Sequence, residues 1–181
     1  MVNRNKPMIT IEDFWRIDDL IKAKWGRKFY QYIDYCGLEP VRPLVHDGYF
    51  CTPKNTLTFA TTGGNGVHFG IITDTNSNET SGPIVMTVPM ADTKNVVVAE
   101  DLNEFFSLGY YVGWFALEEI VYDLDETVDY FSKPDKEITQ EKNAFLEIIR
   151  KEFTVHHIPL SKVRLDELEK TYLSILEIDN E

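Results

Sequence analysis

The sequence predicts an α+β protein, a single domain in which a mainly antiparallel sheet is flanked by N- and C-terminal helices. Apolar residues recur at helical spacing in the first 37 residues and again after Ala99. Short runs of β-branched and aromatic residues fill the chain between Tyr49 and Ala99. With 181 residues the chain has the length of one domain, and it can bury enough apolar surface to need no disulfide or metal.

The N-terminal region predicts two helices. Thr10 is followed three residues later by Asp13, a capping pattern, and apolar residues then recur at Phe14, Ile17 and Ile21. A second helix is expected in "RKFYQYIDYCG", where the glycine provides a C-cap. The following stretch "LEPVRPLVHDG" contains two prolines and is interpreted as a turn-rich connection.

The middle of the chain predicts a meander of four strands, in "NTLTFATT", "VHFGIIT", "PIVMTVP" and "NVVVA". Helices resume in "EDLNEFFSLG", "WFALEEIVYDL", "TQEKNAFLEIIRKEF" and "LSKVRLDELEKTYLSILEI". No domain boundary is evident, and "FSKPDKE" is the most linker-like segment. We therefore expect one domain over residues 1–181, with a helical, acidic C-terminal extension from about residue 135.

The glycine-rich stretch "TTGGNGVHFGII" predicts a hairpin. It lacks the glycine spacing of a phosphate-binding loop, and Asn65-Gly66 is the dipeptide most favoured in a type I′ turn, since both positions need a positive φ. A two-residue loop would fix the register. The pairs would be Gly64 with Val67, Gly63 with His68, Thr61 with Gly70 and Phe59 with Ile72. Both faces of this hairpin are substantially apolar, so we expect both to be covered.

Charge excludes several classes of partner. The chain has 30 acidic and 18 basic residues and a formal charge of −12, which repels nucleic acids and anionic membranes and attracts a basic protein. No run of about 18 apolar residues and no signal-peptide pattern is present, so we expect a cytoplasmic protein. Cys36 and Cys51 have no CxxC spacing and are expected to be reduced thiols.

The histidines offer the main candidates for catalysis. His68 lies among glycines that leave room for a general base in a recess, but the pattern favours a partly buried histidine hydrogen-bonded to a neighbour. His46 precedes Asp47 in an ordinary turn sequence, and the neighbours His156 and His157 point to opposite faces of an extended segment. Because no pair has the spacing of a helical zinc site, we predict no metal, no cofactor and no catalytic residue.

The segment "EEIVYDLDETVDYF" is the most acidic of the chain. Its DxDxT pattern resembles a calcium loop, but Val128 stands where glycine is needed and Pro134 where the bidentate glutamate belongs. A solvated helix face and a surface for a basic partner both explain such a run. The candidate contacts are its six carboxylates, namely Glu118, Glu119, Asp123, Asp125, Glu126 and Asp129.

Three linked segments resemble the middle of SUKH superfamily proteins: "FATTGGNGVHFGII", "GPIVMTVPM" and "NVVVAEDLNEFFSLGYYVGWFALEEI". In that family a glycine-flanked strand, a further strand pair and "AxSxxEFL"-like residues that open a helix occur in this order. The last element here reads "AEDLNEFF", and the similarity extends from about Phe59 to Ile120. The resemblance implies a SUKH-like domain with a curved sheet between helices.

The same resemblance implies a function. SUKH proteins include yeast cell-wall-synthesis regulators and many bacterial immunity proteins, so we expect a non-enzymatic binding module that neutralises a cognate, nuclease-type toxin by occluding it. The family has no shared catalytic residues to carry over. Asn65 and His68 of the hairpin join the six carboxylates as candidate contacts. Two alternatives stay open: a small-molecule enzyme with a pocket around His68 and His46, and a regulatory adaptor without a toxin partner.

Overall fold

The computed structural model describes residues 8–26, 36–73 and 81–178. Its centre is a five-stranded antiparallel sheet in which the strands follow one another in chain order. The strands are β1 (Glu39–Val45), β2 (Thr56–Thr61), β3 (His68–Ile72), β4 (Ile84–Thr87) and β5 (Asn95–Ala99). The predicted α+β class and antiparallel meander are confirmed.

Helices precede and follow the sheet. The α-helices are α1 (Ile11–Trp25), α2 (Leu102–Leu108), α3 (Leu124–Phe131), α4 (Gln140–Phe153) and α5 (Lys162–Tyr172). Within the described residues, the 3₁₀ helices Phe115–Val121 and Leu173–Ile175 lie before α3 and after α5. The second helix predicted in "RKFYQYIDYCG" falls mostly on residues 27–35, outside the described residues.

The beginning of α1 follows the predicted capping pattern. The Thr10 hydroxyl accepts a hydrogen bond from the Asp13 N–H at 3.2 Å, and the Asp13 carboxylate accepts one from the Thr10 N–H at 3.1 Å. These bonds satisfy two backbone groups at the helix end. Phe14, Ile17 and Ile21 are buried, so the predicted apolar face packs into the core.

Strand β1 corrects one prediction, since the segment with two prolines is a strand and not a turn-rich connection. It is an edge strand of the sheet. Proline lacks an N–H, but on an edge strand that N–H is not needed to pair two inner strands. The pairing of β1 with β2 is irregular between Pro40 and Val45. Side chains of α1 cover part of it: the Trp15 Nε1–H donates to the Val41 carbonyl at 3.2 Å.

The predicted turn is present, but the predicted register is wrong. Asn65 and Gly66 both have positive φ, and the Val67 N–H donates to the Gly64 carbonyl at 3.1 Å across them. The Thr62 N–H then donates to the Val67 carbonyl, so residues 63–66 form a four-residue loop. His68 therefore pairs with Thr61 rather than with a glycine.

A second irregularity separates the observed register further from the predicted one. Thr58 faces Gly70 and Ala60 faces Phe69, so Phe59 is an extra residue in β2. This bulge brings the Phe59 ring to 5.3 Å from Phe105, in the core. Packing of this aromatic side chain thus decides the register as strongly as the turn does.

One face of the sheet carries the main core. The ring of Phe105 on α2 lies 5.0 Å from Phe69 and 5.7 Å from Trp114, and all three side chains are fully buried. The indole N–H of Trp114 donates to the Phe105 carbonyl at 3.0 Å, which satisfies its polar atom. Phe153 of α4 extends this cluster, because its ring lies 4.4 Å from that of Phe106.

The opposite face is covered by α5. Leu168 packs against Ile72, Val85 and Val97 in a second cluster of buried residues. Every residue of β3 is buried, which confirms that both faces of the hairpin strands are covered. Asn55 holds the segment after α5 in place, as its side-chain amide donates to the Ile175 carbonyl and accepts from the Glu177 N–H.

Candidate functional site

His68 is a buried, fully bonded side chain, only 1% exposed. Its Nδ1 lies 2.8 Å from the Gly66 carbonyl oxygen, and its Nε2 lies 3.0 Å from the Thr52 hydroxyl. Since the carbonyl only accepts, Nδ1 carries a proton, and in the neutral ring Nε2 accepts from the Thr52 hydroxyl. The ring also stacks on Tyr49 at 5.7 Å. His68 presents no side-chain surface to a partner, and both its nitrogens are engaged in holding the hairpin.

A hollow of about 330 Å³ opens on the outside of the hairpin loop. Asp47, Tyr49 and the exposed Asn65 line it, together with the glycines of the loop. The described lining residues include neither His68 nor His46. The two histidines that suggested an enzyme pocket therefore do not meet at this hollow.

A second hollow, of about 260 Å³, lies where the 3₁₀ helix Phe115–Val121 meets α3. We call it the acidic hollow, because three of the six candidate carboxylates surround it. Its lining residues are Ala116, Glu119, Asp123, Glu126, Thr127 and Tyr130. The structure thus places part of the predicted acidic run around one concave site.

Asp123 shapes this site by capping α3. Its carboxylate accepts a hydrogen bond from the Glu126 N–H at 3.0 Å, and its carbonyl accepts one from the Thr127 hydroxyl at 2.6 Å. The cap fixes the direction in which α3 leaves the 3₁₀ helix. Glu126 and Thr127, on the first turn of α3, consequently face the same hollow as Glu119.

Ion pairing divides the six predicted carboxylates. Asp125 is paired with Lys162 at 2.5 Å, and Asp129 is paired with Lys133 at the same distance. No described cation pairs with Glu119, Asp123 or Glu126, and all three side chains are exposed. The three carboxylates of the acidic hollow therefore keep their charge available, whereas two of their neighbours are internally neutralised.

Glu118 occupies a different environment from the other five. It is half-buried, and burial is the main cause that raises the pKa of its carboxyl, with the nearby charge of Glu119 as a second cause. Both causes disfavour the ionised form. Glu118 is thus held against the protein, while Glu119 faces the solvent.

Aromatic side chains border the acidic residues. Phe115 and Tyr122, at the two ends of the 3₁₀ helix, are 47% and 58% exposed. Tyr130 forms part of the wall of the acidic hollow, and burial followed by the charge of Asp135 raises the pKa of its phenol. Exposed aromatic rings beside polar groups are typical of the residues that dominate protein interfaces.

The hairpin loop lies beside this surface. A Cβ atom added to Gly64 would lie 4.0 Å from Cε2 of Phe115, in ordinary van der Waals contact. The loop that carries Asn65 and the 3₁₀ helix that carries Glu119 are therefore neighbours. The structure thus places the loop of Asn65 beside Phe115, at the start of the 3₁₀ helix that carries Glu118 and Glu119.

No family model, curated protein or solved structure matches this chain. In the part of the chain that the structure describes, no group of three or more histidine, cysteine, aspartate or glutamate side chains is arranged to hold a metal ion. Among those same residues, no helix is both long and apolar enough to cross a bilayer. Cys36 and Cys51 are buried free thiols, and burial raises the pKa of the Cys36 thiol to about 12.

The sequence indicates the acidic run, but it did not indicate the acidic hollow or the aromatic residues near it. Phe115, Tyr122 and Tyr130 were not among the predicted contacts, and the first two are exposed. A signal was available, since each aromatic residue alternates with carboxylates in "FALEEIVYDLDETVDYF". The division into paired and unpaired carboxylates had a local signal for Asp129, whose partner Lys133 lies four residues further on. Asp125 gave no such signal, because its partner Lys162 lies far along the chain.

Proposed function

We propose that this protein is a non-enzymatic, immunity-type binding module that occludes a basic partner, a nuclease-type toxin domain. The observation that carries the proposal is the set of three exposed carboxylates around the acidic hollow that no described cation pairs with, on a segment that also carries the exposed rings of Phe115 and Tyr122. The resemblance of the central strands to SUKH proteins supports the same function. Membership of this chain in the SUKH superfamily is part of the proposal.

The proposed surface would affect both the association rate and the affinity of the complex. Nuclease toxins present cationic surfaces that bind phosphates, and a complementary acidic surface steers the two proteins together. Aromatic residues supply rigid contact area at low entropic cost, so Phe115 and Tyr122 are the expected anchors. The unpaired carboxylates then act mainly on association, and the rings act mainly on dissociation.

The hairpin loop provides a second contact region beside the first. Asn65 is exposed, and its loop packs next to Phe115. A partner that covers Phe115 would also reach this loop. His68 contributes indirectly, because its bond to the Gly66 carbonyl holds the loop in shape.

The experiment first looks for a nuclease-type toxin domain encoded beside the gene for this chain, which the proposal predicts, and then titrates that domain with this protein. The nuclease activity of the domain should fall linearly with added protein and reach zero near an equimolar ratio, as expected for occlusion. The variant Phe115→Ala with Tyr122→Ala should need a large excess, because it lacks the proposed anchors. Full toxin activity at a tenfold excess of the unaltered protein would overturn the proposal.

The alternative of a small-molecule enzyme around His68 and His46 receives less support. A general base needs a nitrogen that can reach a substrate, and both nitrogens of His68 are bonded within the protein. His46 is exposed and does not line the hollow at the hairpin loop. No observation favours a regulatory adaptor over an immunity protein.

A further inference from the structure

A hollow of about 360 Å³, which we call the Phe50 hollow, shares no lining residue with the acidic hollow. Three parts of the chain form it: the segment before β2, the start of β5, and the end of α5 with the residues that follow it. Its lining residues are Phe50, Cys51, Thr93, Lys94, Asn95, Glu169, Leu173 and Ile178. The proposed function uses none of them.

Three apolar side chains of this hollow are exposed to solvent. Phe50 is 63% exposed, Ile178 is 43% exposed and Leu173 is 38% exposed. Because all three line one cavity, they form a contiguous apolar surface and are not scattered residues. Contiguous exposed apolar surface is typical of interaction sites. The Phe50 hollow is therefore a candidate interface.

Hydrogen bonds hold one side of this surface in place. The side-chain amide of Asn55 donates to the Ile175 carbonyl at 2.8 Å and accepts from the Glu177 N–H at 2.9 Å. The Lys54 N–H donates to the Glu177 carbonyl at 2.7 Å. These bonds fix the segment after α5, so its apolar side chains are already ordered and lose little conformational entropy in a complex.

The charged residues that line the hollow are one cation and one anion, Lys94 and Glu169. Neither forms an ion pair within the part of the chain that the structure describes. The Lys94 ammonium group donates to the Ala91 carbonyl at 2.6 Å and lies 5.6 Å from the centre of the Phe50 ring, which sets its position. The charge of this lining is balanced, so it gives a basic partner no electrostatic advantage.

A surface with one cation and one anion is complementary to a second copy of itself. In a two-fold symmetric dimer, if one residue contacts a second residue on the other copy, the reverse contact is also made. Lys94 of each copy then faces Glu169 of the other, and Phe50 of each copy enters the hollow of the other. The volume of the hollow lies within the range of protein ligand pockets, so it can hold an aromatic ring.

We propose that the Phe50 hollow is the surface through which two copies of this chain form a two-fold symmetric dimer. The contact buries the exposed apolar side chains, and two ion pairs between Lys94 and Glu169 of different copies set its orientation. Each copy has a formal charge of −12, but exposed charges further apart than about 8 Å are screened at physiological ionic strength. This inference does not rest on the proposed function, and the acidic hollow of each copy lies outside the contact.

The first test is analytical ultracentrifugation of the full chain at physiological ionic strength over a range of concentrations. The unaltered protein should show a reversible equilibrium between monomer and dimer, and Phe50→Ser should weaken the dimer at least tenfold because it removes the side chain that fills the hollow. Val163→Ser is the matched control, since Val163 is 70% exposed but does not line the hollow, and it should leave the dimer unchanged. A monomer at every concentration would overturn the proposal and leave the apolar surface to a different protein. A dimer that Phe50→Ser does not weaken would place the contact on another face.

The second test uses charge reversal across the contact. Lys94→Glu places two anions opposite each other in the dimer, and Glu169→Lys places two cations opposite each other, so each variant alone should dimerise at least tenfold more weakly. An equimolar mixture of the two variants should form a mixed dimer about as tightly as the unaltered protein, because each contact again joins opposite charges. Thermal unfolding of each variant checks that it is folded.

Recovery in the mixture distinguishes a contact between copies from a change within one copy. The loss of the bond from Lys94 to the Ala91 carbonyl affects only the chain that carries Lys94→Glu, and a second chain cannot restore it. If the mixture associates no more tightly than either variant alone, Lys94 and Glu169 do not face each other and the proposed dimer is refuted.

Discussion

At the scale of single residues, His68 shows how a histidine that looks catalytic in sequence can serve structure. The glycines around it suggested room for a substrate, but the ring is buried and bridges the hairpin to Thr52. Its Nδ1–H bond to the Gly66 carbonyl reaches back across the loop. These contacts make His68 a determinant of loop shape, and a stability measurement can detect that role.

We expect His68→Phe to lower the free energy of unfolding by about 1–3 kcal/mol, because it leaves the Gly66 carbonyl and the Thr52 hydroxyl without this partner. Urea denaturation of His68→Phe, Thr52→Val and the double variant measures the effect and its coupling. The double variant should be less destabilised than the sum of the single ones. Additive losses would mean that the observed bond contributes nothing.

Glu118 gives a second residue-scale prediction. The raised pKa of Glu118 means that folding disfavours its ionised carboxyl. The contribution of the protonated carboxyl to stability is therefore fully present below the unfolded pKa of about 4.3, and it is lost as pH rises through the folded pKa. Glu118→Gln should therefore raise the melting temperature at about pH 7 and leave it unchanged at about pH 4. The control is Glu137→Gln, an exposed carboxylate away from this site, which should show no such pH-dependent gain.

At the scale of elements, local chemistry predicts the ends of helices and the type of turn. The cap of α1 and the positive φ angles of Asn65 and Gly66 each depend on a few neighbouring residues. The helix predicted in "WFALEEIVYDL" is instead a 3₁₀ helix over Phe115–Val121, and Asp123 caps a separate helix, α3, that was not predicted. The register of the hairpin could not be predicted in the same way. It depends on the bulge at Phe59, whose ring packs against Phe105 of α2, and on Gly63, which lengthens the loop.

Strand β1 and the acidic hollow were not predicted, because both depend on how separate parts of the chain pack together. Proline indicates a turn in isolation, but at the end of a sheet it is tolerated, and the position of β1 in the sheet is not local information. The hollow forms only when the 3₁₀ helix and α3 meet, which brings Glu119 and Glu126 together. The carboxylates themselves were predicted because charge is visible in sequence without the fold.

The turn allows a test at this scale. Gly66→Val should lower the free energy of unfolding by more than about 1 kcal/mol, since a β-branched residue resists its φ of 73° and the new side chain would meet the Tyr49 ring. Gly48→Val is the matched control, because a Cβ at Gly48 has no neighbour within 4 Å and its φ is not in the left-handed region. Thermal unfolding of both variants compares them, and equal melting temperatures would contradict the assigned turn.

At the scale of the whole molecule, charge is distributed unevenly. Residues from Glu118 onward carry seventeen acids and eight bases, a net charge of −9 out of the total of −12. Some of these carboxylates pair with lysines and hold helices together, as Asp125 does with Lys162. The acidic hollow concentrates carboxylates that no described cation pairs with, so the negative potential there is available to a partner.

The central claim is that the unpaired carboxylates of the acidic hollow steer a basic partner. The most direct measurement is the association rate constant with the neighbouring toxin domain at low and high salt, for two variants that each remove three charges. One variant combines Glu119→Gln, Asp123→Asn and Glu126→Gln, in which asparagine retains the helix cap. The other combines Asp125→Asn, Asp129→Asn and Glu137→Gln, which lie outside the hollow.

We predict that the variant of the acidic hollow associates roughly tenfold more slowly than the unaltered protein at low salt, with a smaller difference at high salt because exposed charges are screened. The second variant should lose less than about twofold, since its three carboxylates do not line the proposed contact surface and screening weakens the effect of a charge with distance. Equal association rates of the two variants, or rates indifferent to salt, would contradict the claim that the acidic hollow is the recognition surface.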